Sequence, residues 1–281
     1  MSERTLPEAT FARTVLGSGP GLALAHGAGS SIAGTYGPIL EGLAARHTVV
    51  GVDYPGSGDT PPAPPRRCSW TTWPTSSPPP SPRAWRPSPC TATCSAARWR
   101  SAPRPAIPSA SPPSWVAIRA ASRHPERVTA LVLTATFAHR DNRLSLALPV
   151  WRKLAESGDR QLLAEYLTMM ALGADALEAM PEEQLQQAVG FTAASVAEGT
   201  PEHAELAPRI DVRDDLAYVK APTLVISTTQ DRFTSTRLHR QLADTIPGAE
   251  LVEIRTGHLP MVERPEEWQQ LITDFLTKHD A

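Results

Sequence analysis

The chain has 281 residues, a length that suits one α/β domain with an inserted segment or two small domains. Its net charge of −2 and pI near 6.5 exclude a polyanion-binding surface of the kind that recognises nucleic acid. No apolar run approaches the ~20 residues of a membrane span, and the N-terminal residues lack the apolar stretch of a secretory signal. These features predict a cytoplasmic protein without nucleic-acid or membrane partners.

Cysteine usage agrees with that expectation. The chain has three cysteines, Cys68, Cys90 and Cys94. An odd number of cysteines in a chain without an export signal argues against a disulfide framework. No Cys/His set has metal-ligand spacing, and the chain has neither a dinucleotide-binding nor a phosphate-binding glycine motif. The sequence therefore predicts no metal and no cofactor.

The first regular unit of the chain lies between residues 21 and 53. Residues 21–25 and 48–53 are short apolar runs that end at turns, which is typical of buried strands. Between them, residues 36–46 carry apolar side chains at helical spacing. A strand, a loop, a helix and a second strand in this order predict a parallel sheet.

Residues 61–114 have an unusual composition. They use only eight residue types, and sixteen of the 54 positions are proline. One interpretation is a proline-rich linker. The other is a frame error in a GC-rich gene, because GC-rich codons translated out of frame give mostly Pro, Arg, Ala, Ser, Thr, Cys and Trp. Proline has no backbone N–H, so the segment is expected not to form a central strand.

A frame error has a measurable consequence. The chain as written would fold poorly and be inactive, because losing a central strand removes more than the ~5–15 kcal/mol by which domains are stable. An active preparation would then differ from this sequence between residues 61 and 114. Intact mass and peptide mapping of an active preparation measure that difference, and recovery of the written peptides would contradict it.

The rest of the chain again alternates apolar strands with amphipathic helices. The predicted strands are residues 128–134, 219–227 and 249–254, and the predicted helices are residues 115–122, 235–245 and 265–278. Residues 139–215 contain helical stretches and no strand candidate. Because insertions above the carboxyl ends of strands build binding sites in open α/β sheets, we expect a helical lid there. The alternative is a set of ordinary packing helices.

Three short motifs carry candidate chemistry. His26-Gly27-Ala28-Gly29 follows the first apolar run, and Asp53 opens a turn rich in glycine. Near the end of the chain, Asp231 closes a predicted strand and His258 lies on a loop after the next one. A loop histidine can move a proton near neutral pH, and a strand-end carboxylate can hold the tautomer of its ring.

In this order and at these separations the motifs resemble those of α/β-hydrolases, and the resemblance covers residues 20–60 and 115–278. It is closest to the lidded esterase, lactonase and haloperoxidase-like branch. The resemblance implies a mostly parallel central sheet with helices on both faces and a helical lid. The core would comprise residues 1–138 and 216–281, and the lid residues 139–215.

The resemblance also implies roles for individual residues. His258 and Asp231 would be the catalytic histidine and acid. Gly27 and Ala28 would form the oxyanion and substrate-binding loop, with the Ala28 N–H as one donor of the oxyanion hole and the small residues Ala28 and Gly29 letting the backbone approach the substrate. The other histidines are interpreted as structural or exposed, and Asp53 and Asp59 as turn residues. These other histidines are His47, His124, His139, His203, His239 and His279.

The nucleophile is the departure from the family. The Gly-x-Ser-x-Gly motif that normally holds it is absent from the sequence. Counting forward from Asp53 by the family's spacing leads to Cys94 or Ser95, whereas counting back from the Arg123-His124-Pro125 turn leads to Ser111. Ser111 is the candidate nucleophile, although Pro112 removes the N–H that an oxyanion hole would use.

Two functions follow from these residues. The first is hydrolysis of carboxylic esters or lactones by acyl transfer, with a small-molecule substrate and with His258 and Asp231 assisting the nucleophile. The second is a protein of the same fold that lacks a nucleophile and acts as a cofactor-free enzyme or a binding protein.

Overall fold

The computed structural model describes residues 11–62, 107–110 and 114–280. The strands among them form two sheets. They are β1 (Arg13–Leu16), β2 (Gly21–Leu24), β3 (Thr48–Val52), β4 (Ile107–Ala110), β5 (Leu131–Thr134), β6 (Thr223–Thr228) and β7 (Glu250–Ile254). Five of them lie at predicted strands, and β1 and β4 were not predicted.

The pairing of the strands is mostly parallel. The first sheet has the order β1-β3-β2, with β1 antiparallel to β3 and β2 parallel to β3. The second has the order β4-β5-β6-β7, and every pair in it is parallel. Parallel strands place their carboxyl ends at one edge, so the loops that follow β5, β6 and β7 gather there.

Strand β4 lies within residues 61–114, the segment that was expected not to form a central strand. Residues Ile107–Ala110 pair in parallel with β5, with Pro108 opposite Val132. A proline is tolerated at this place because β4 is the terminal strand of its sheet, and an edge strand has unpaired positions where no N–H is required. The rest of the anomalous segment, apart from residues 61, 62 and 114, lies outside the described residues.

The helices before and after the helical block (residues 139–215) cover both faces of the sheets. They are α1 (Ile32–Ala44), α2 (Ser114–Arg123), and, toward the end of the chain, α9 (Thr236–Thr245), α10 (Pro260–Glu263) and α11 (Pro265–Lys278). Alternate residues along a strand point to opposite faces. Accordingly, Val132 packs in one core cluster with α1 and α11, whereas Leu131 and Leu133 pack in a second cluster with α2 and α9.

The first core cluster joins the two sheets. Leu22 of β2 and Leu224 of β6 belong to it, so one core supports both sheets. At its centre the indole of Trp268 is 1% exposed, and its Nε1–H donates to the Thr134 hydroxyl at 3.1 Å. This bond satisfies the polar atom of an otherwise apolar core residue, as buried indoles require.

Asp53, which follows β3, also caps the start of α1. Its carboxylate accepts the backbone N–H of Ile32, the first residue of α1, at 2.7 Å. Ser31 accepts the Gly34 N–H at 3.0 Å. Both contacts satisfy N–H groups that a helix leaves unpaired in its first turn. The end of β3 is thereby fixed against the start of α1.

The helical block (residues 139–215) follows β5 and precedes β6. Its helices are α3 (Asn142–Ser157), α4 (Arg160–Ala171), α5 (Ala174–Ala179), α6 (Glu182–Ser195), α7 (Thr200–Leu206) and α8 (Arg213–Leu216). A single antiparallel bridge joins His139 to Asp211, and the Val212 N–H donates to the Ala138 carbonyl at 2.9 Å. These contacts bring the two ends of the block together, as expected of an insertion between two strands.

Candidate active site

The structure brings His258 and Asp231 together after the ends of two neighbouring parallel strands. Asp231 lies on the loop after β6, and His258 on the loop after β7. Their side chains meet with His258 Nδ1 2.7 Å from Asp231 Oδ2. The carboxylate is fully buried, whereas 12% of the imidazole is exposed. This arrangement sets Nδ1 as the protonated nitrogen, because an ionised carboxylate only accepts.

Asp231 is held by five donors. Its Oδ2 accepts from His258 and from the hydroxyls of Thr228 (3.0 Å) and Thr234 (2.5 Å). Its Oδ1 accepts the backbone N–H groups of Phe233 (2.7 Å) and Thr234 (2.9 Å). Burial alone would raise the pKa of Asp231, but the charge and hydrogen bond of His258 and the bonds from Thr234 outweigh burial and lower it. Asp231 is therefore a buried carboxylate that stays ionised.

A chain of buried polar groups extends from Asp231 away from His258. The Thr234 hydroxyl donates to Asp231, so it accepts from His239, whose Nε2 lies 3.0 Å away. His239 Nδ1 then accepts from the Ser227 hydroxyl at 3.1 Å. Burial lowers the pKa of His239 to about 4, so its ring is neutral. Sequence analysis interpreted His239 as structural or exposed; the structure makes it a fully buried support of the acid.

The glycine loop after β2 presents a backbone donor. His26 Nδ1 donates to the Gly27 carbonyl at 2.8 Å, and His26 Nε2 accepts the Tyr54 N–H at 3.0 Å. In a trans peptide the carbonyl and the following N–H point in opposite directions, so this bond turns the Ala28 N–H away from His26. Among the described residues the Ala28 N–H has no hydrogen-bond partner, and Ala28 lines the cavity described below. It is a ready donor for an anion.

The loop that carries His258 is tied to the helical block. The His258 N–H donates to the Ala171 carbonyl at 2.6 Å. Glu263 Oε1 accepts the N–H groups of Gly257 (2.9 Å) and Gly173 (3.1 Å), and so links the loop to the segment after α4. Burial raises the pKa of Glu263, although both backbone bonds oppose that rise. The position of the histidine thus depends on contacts with the helical block.

A substitution at Gly257 tests whether the position of His258 depends on the helical block. A Cβ at Gly257 would lie 2.3 Å from the Ala171 carbonyl oxygen and 2.4 Å from the Gly173 nitrogen. These are backbone atoms, so the loop and the block must move apart. We expect Gly257→Ala to lower the free energy of unfolding by about 2–3 kcal/mol and to loosen His258. Denaturant unfolding measures the loss, and Gly190→Ala in α6 is the control.

The control has open space around it. A Cβ at Gly190 meets nothing within 4 Å, and alanine is the better helix former by roughly 0.5–1 kcal/mol. Gly190→Ala should therefore be neutral or slightly stabilising. Equal free energies of unfolding for the two variants would contradict the close contact at Gly257.

His258 lines a cavity of about 1330 Å³. One wall is the glycine loop with Ala28, and another is the helical block, which contributes Trp151 and Phe191. Phe233 stands edge-on to the His258 ring at 5.2 Å between ring centres. The lining is predominantly apolar, and the volume exceeds the ~300–1,000 Å³ usual for small-molecule pockets. The cavity suits a bulky, largely apolar ligand.

The candidate nucleophile is not described by the structure. Ser111 falls between the last residue of β4 and the first of α2 in chain order, but it lies outside the described residues, as do Cys94 and Ser95. Within the described ranges, no three His, Cys, Asp or Glu side chains are grouped so that they could hold a metal ion. Searched over the same ranges, the structure has no helix that is long and apolar enough to cross a membrane.

Sequence analysis assigned no contact at the site to three residues that support it, His203, His239 and Glu263. His203 accepts the Gly29 N–H across 174 positions of sequence. His239 reaches the site through the Thr234 hydroxyl, which in turn donates to Asp231. The only local signal was a histidine on an amphipathic helix, and this signal does not separate a buried support from a surface residue. Glu263 escaped for the same reason, since a carboxylate before Arg264-Pro265 looks like the start of a helix.

Comparison with known proteins extends these observations. No protein-family profile matches the chain. Over 283 residues, and over the full length of both proteins, the chain is 27% identical to pyrrolizixenacetamide deacetylase of Xenorhabdus hominickii. It is also 27% identical over 174 residues to a pimeloyl-[acyl-carrier protein] methyl ester esterase of Neisseria meningitidis, a match that covers 57% of this chain and 64% of the esterase.

The structural comparison gives the fold. The enol-lactonase of Burkholderia xenovorans LB400 superposes with a TM-score of 0.74 over 95% of this chain and 96% of the lactonase, at 21% sequence identity. A mostly parallel arrangement of strands with helices on both faces is consistent with that similarity. The chain has the α/β-hydrolase fold, as the sequence predicted, and resembles the esterases and lactonases that share it.

Proposed function

We propose that the protein hydrolyses carboxylic esters or lactones by acyl transfer. The observation that carries this proposal is the His258–Asp231 pair, 2.7 Å between its nearest atoms, on the wall of a cavity that also presents the Ala28 N–H. His258 would take the proton of the nucleophile and return it to the leaving group, while Asp231 holds the ring tautomer. The Ala28 N–H would stabilise the oxyanion of the tetrahedral intermediate.

The helical block, residues 139–215, would act as the lid of this site. Its side chains form much of the cavity wall, including Leu148, Trp151 and Phe191. A lid excludes water from the reacting centre and supplies apolar contacts for the acyl or alcohol part of a substrate. The names of the similar proteins, a deacetylase, a methyl ester esterase and an enol-lactonase, support chemistry at an acyl group of a small-molecule substrate.

Ser111 is the proposed nucleophile. The connection between a parallel strand and the following helix is where α/β-hydrolases hold that residue, and residues 111–113 connect β4 to α2. This position in the chain favours Ser111 over Cys94. The Pro112 residue that follows has no N–H, so the second oxyanion donor would have to come from elsewhere.

The second candidate function is that of a protein without hydrolytic chemistry. It is favoured by one specific observation, the absence of a Gly-x-Ser-x-Gly motif. The same cavity would then bind a small molecule, or His258 would act as a general base without a covalent step.

One experiment separates the two functions. The purified protein is incubated with p-nitrophenyl esters of increasing acyl length and with lactones, before and after treatment with a serine-reactive phosphonate. Hydrolysis that the phosphonate abolishes, with the label mapped to Ser111 and lost in Ser111→Ala, supports acyl transfer. A folded protein that neither hydrolyses the panel nor takes up the label would overturn it and leave the second function.

A further inference from the structure

His203 links the helical block to the glycine loop of the active site. It lies on α7 and is partly buried. Its Nδ1 accepts the Gly29 N–H at 3.1 Å, and its Nε2 lies 3.1 Å from the Pro55 carbonyl. An amide N–H only donates and a carbonyl only accepts, so the two partners define one neutral tautomer, with the proton on Nε2.

The two peptides on either side of Ala28 are held by different histidines. The Gly27–Ala28 peptide is fixed through its carbonyl, which accepts from His26. The Ala28–Gly29 peptide is fixed through its N–H, which donates to His203. The Ala28 N–H lies in the plane of the Gly27–Ala28 peptide, and the bond from Gly29 to His203 fixes the next peptide plane. Together the two bonds limit rotation about the dihedral angles of Ala28.

Each histidine also reaches the same turn after β3. His26 accepts the N–H of Tyr54, and His203 donates to the carbonyl of Pro55. Each ring therefore links the glycine loop after β2 to the turn after β3. They differ in origin, since His26 belongs to the core and His203 to the helical block.

Contacts around His203 hold α7 against the glycine loop and the turn after β3. The Gly199 N–H, just before α7, donates to the Gly56 carbonyl at 2.9 Å. Gly29 has a φ of +73°, and a Cβ there would approach Trp151 to 3.3 Å and Thr200 to 3.4 Å. The glycine loop is thus enclosed by two helices of the block. Glycine suits this place because it adopts a positive φ without strain.

We propose that His203 is a positioning residue that aims the Ala28 N–H at the reacting carbonyl, so that this donor of the oxyanion hole is in place only while α7 is docked on the glycine loop. The proposal rests on the proposed acyl-transfer function and deepens it. A donor that is aimed before the reaction begins requires no reorganisation during it. His203 does not touch the substrate and acts through Gly29 and Ala28.

Three substitutions at His203 separate its two hydrogen bonds. His203→Asn keeps an acceptor near the place of Nδ1, His203→Gln keeps a donor near the place of Nε2, and His203→Phe keeps neither. We expect kcat for a p-nitrophenyl ester to fall about 10–100-fold in the Phe and Gln variants, which is less than the about 10²–10³-fold loss of an oxyanion donor itself. The Asn variant should recover most of kcat, and KM should change less than twofold throughout.

The matched control is Glu205→Gln on the exposed side of the same helix. Glu205 pairs with Arg209 at the surface, and exposed pairs of this kind contribute about 0–1 kcal/mol, so kcat and the melting temperature should not change. A His203→Phe variant with the wild-type kcat would overturn the proposal. So would recovery by Gln as complete as recovery by Asn, or a kcat loss that only follows a general loss of folding.

A second readout does not need catalysis. Amide hydrogen exchange at Gly29, whose N–H donates to His203, should accelerate at least tenfold in His203→Phe, while amides of β6 keep their wild-type rates. If the wild-type protein hydrolyses no ester, the proposed function fails, and exchange alone then decides whether His203 holds the loop. Unchanged exchange at Gly29 would overturn the inference in either case.

Discussion

Replacing Asp231 with asparagine is expected to lower kcat of ester hydrolysis by about 10⁴-fold. The reason lies in the donors around the carboxylate. An asparagine cannot present its NH₂ to the two backbone N–H groups that face Oδ1, so the NH₂ must take the place of Oδ2. The hydroxyls of Thr228 and Thr234 can rotate to accept from it, but His258 must then accept at Nδ1 and carry its proton on Nε2. That tautomer cannot act as a base toward the nucleophile.

Steady-state kinetics with one p-nitrophenyl ester measures this effect. KM should stay within a few-fold of the wild type because the apolar wall of the cavity is unchanged. His258→Gln should show a similar loss of kcat, and the double variant little more than either single one, because residues that act as a unit are not additive.

The control substitution is Asp274→Asn on α11. Asp274 accepts from Gln270 on the same helix at 2.6 Å, and it does not line the active-site cavity. Its kcat should equal that of the wild type. An Asp231→Asn variant that keeps more than a tenth of the wild-type kcat, with its fold intact, would contradict the assigned role of the pair.

The second large effect is a loss of stability in acid. Burial lowers the pKa of His26 and of His239 to about 4 from 6.5. The unfolded chain binds protons at these rings below pH 6.5, whereas the folded protein does not until about pH 4. Stability from this source is therefore complete above pH 6.5 and is lost as the pH falls toward 4. Each histidine accounts for about 3 kcal/mol.

This loss is comparable with the ~5–15 kcal/mol by which domains are stable. The bonds explain why the rings resist protonation. His26 Nε2 already accepts the Tyr54 N–H, and His239 Nδ1 already accepts the Ser227 hydroxyl. A second proton would leave the Tyr54 N–H without its acceptor and would place a charge in a buried site.

Urea unfolding between pH 7.5 and 4.5 measures the change. The free energy of unfolding should fall steeply over this range in the wild type. His239→Gln, which can keep one donor and one acceptor, should reduce the fall over this pH range by about 2.5 kcal/mol. The control His124→Gln removes a histidine that is 59% exposed, so the difference between the two variants isolates the contribution of the buried ring. A wild-type curve that is flat down to pH 4.5 would contradict the assignment of neutral buried rings.

The amino-acid sequence was sufficient to predict the fold and the two strand-end residues of the site. Apolar runs closed by turns predicted β2, β3, β5, β6 and β7. Of these, β5 and β6 are buried along their whole length, which requires continuous apolar side chains. Asp231 and His258 follow two of these strands. Parallel strands end at one edge of the sheet, so residues 27 positions apart in the chain were expected to meet there.

The sequence did not predict β4 or β1. Strand β4 contains Pro108, and a proline normally argues against a strand. Its pairing depends on β5, a strand that starts more than twenty residues later, and a local pattern does not reveal that partner. Strand β1 is short and largely exposed, so it lacks the apolar alternation that marks a half-buried strand.

The long-range hydrogen bonds that hold the loops of the site follow from the tertiary structure alone. His203 meets Gly29 across 174 positions of sequence, and Glu263 meets Gly173 across 90. Nothing in the local pattern of either residue records its partner, because a hydrogen bond to a distant backbone N–H places no demand on neighbouring residues. Only the docking of the helical block on the core creates these contacts. The sequence by itself predicted that Asp231 and His258 would meet at one edge of the sheet, and the packing of the block determined how the loops that carry His258 and Ala28 are held.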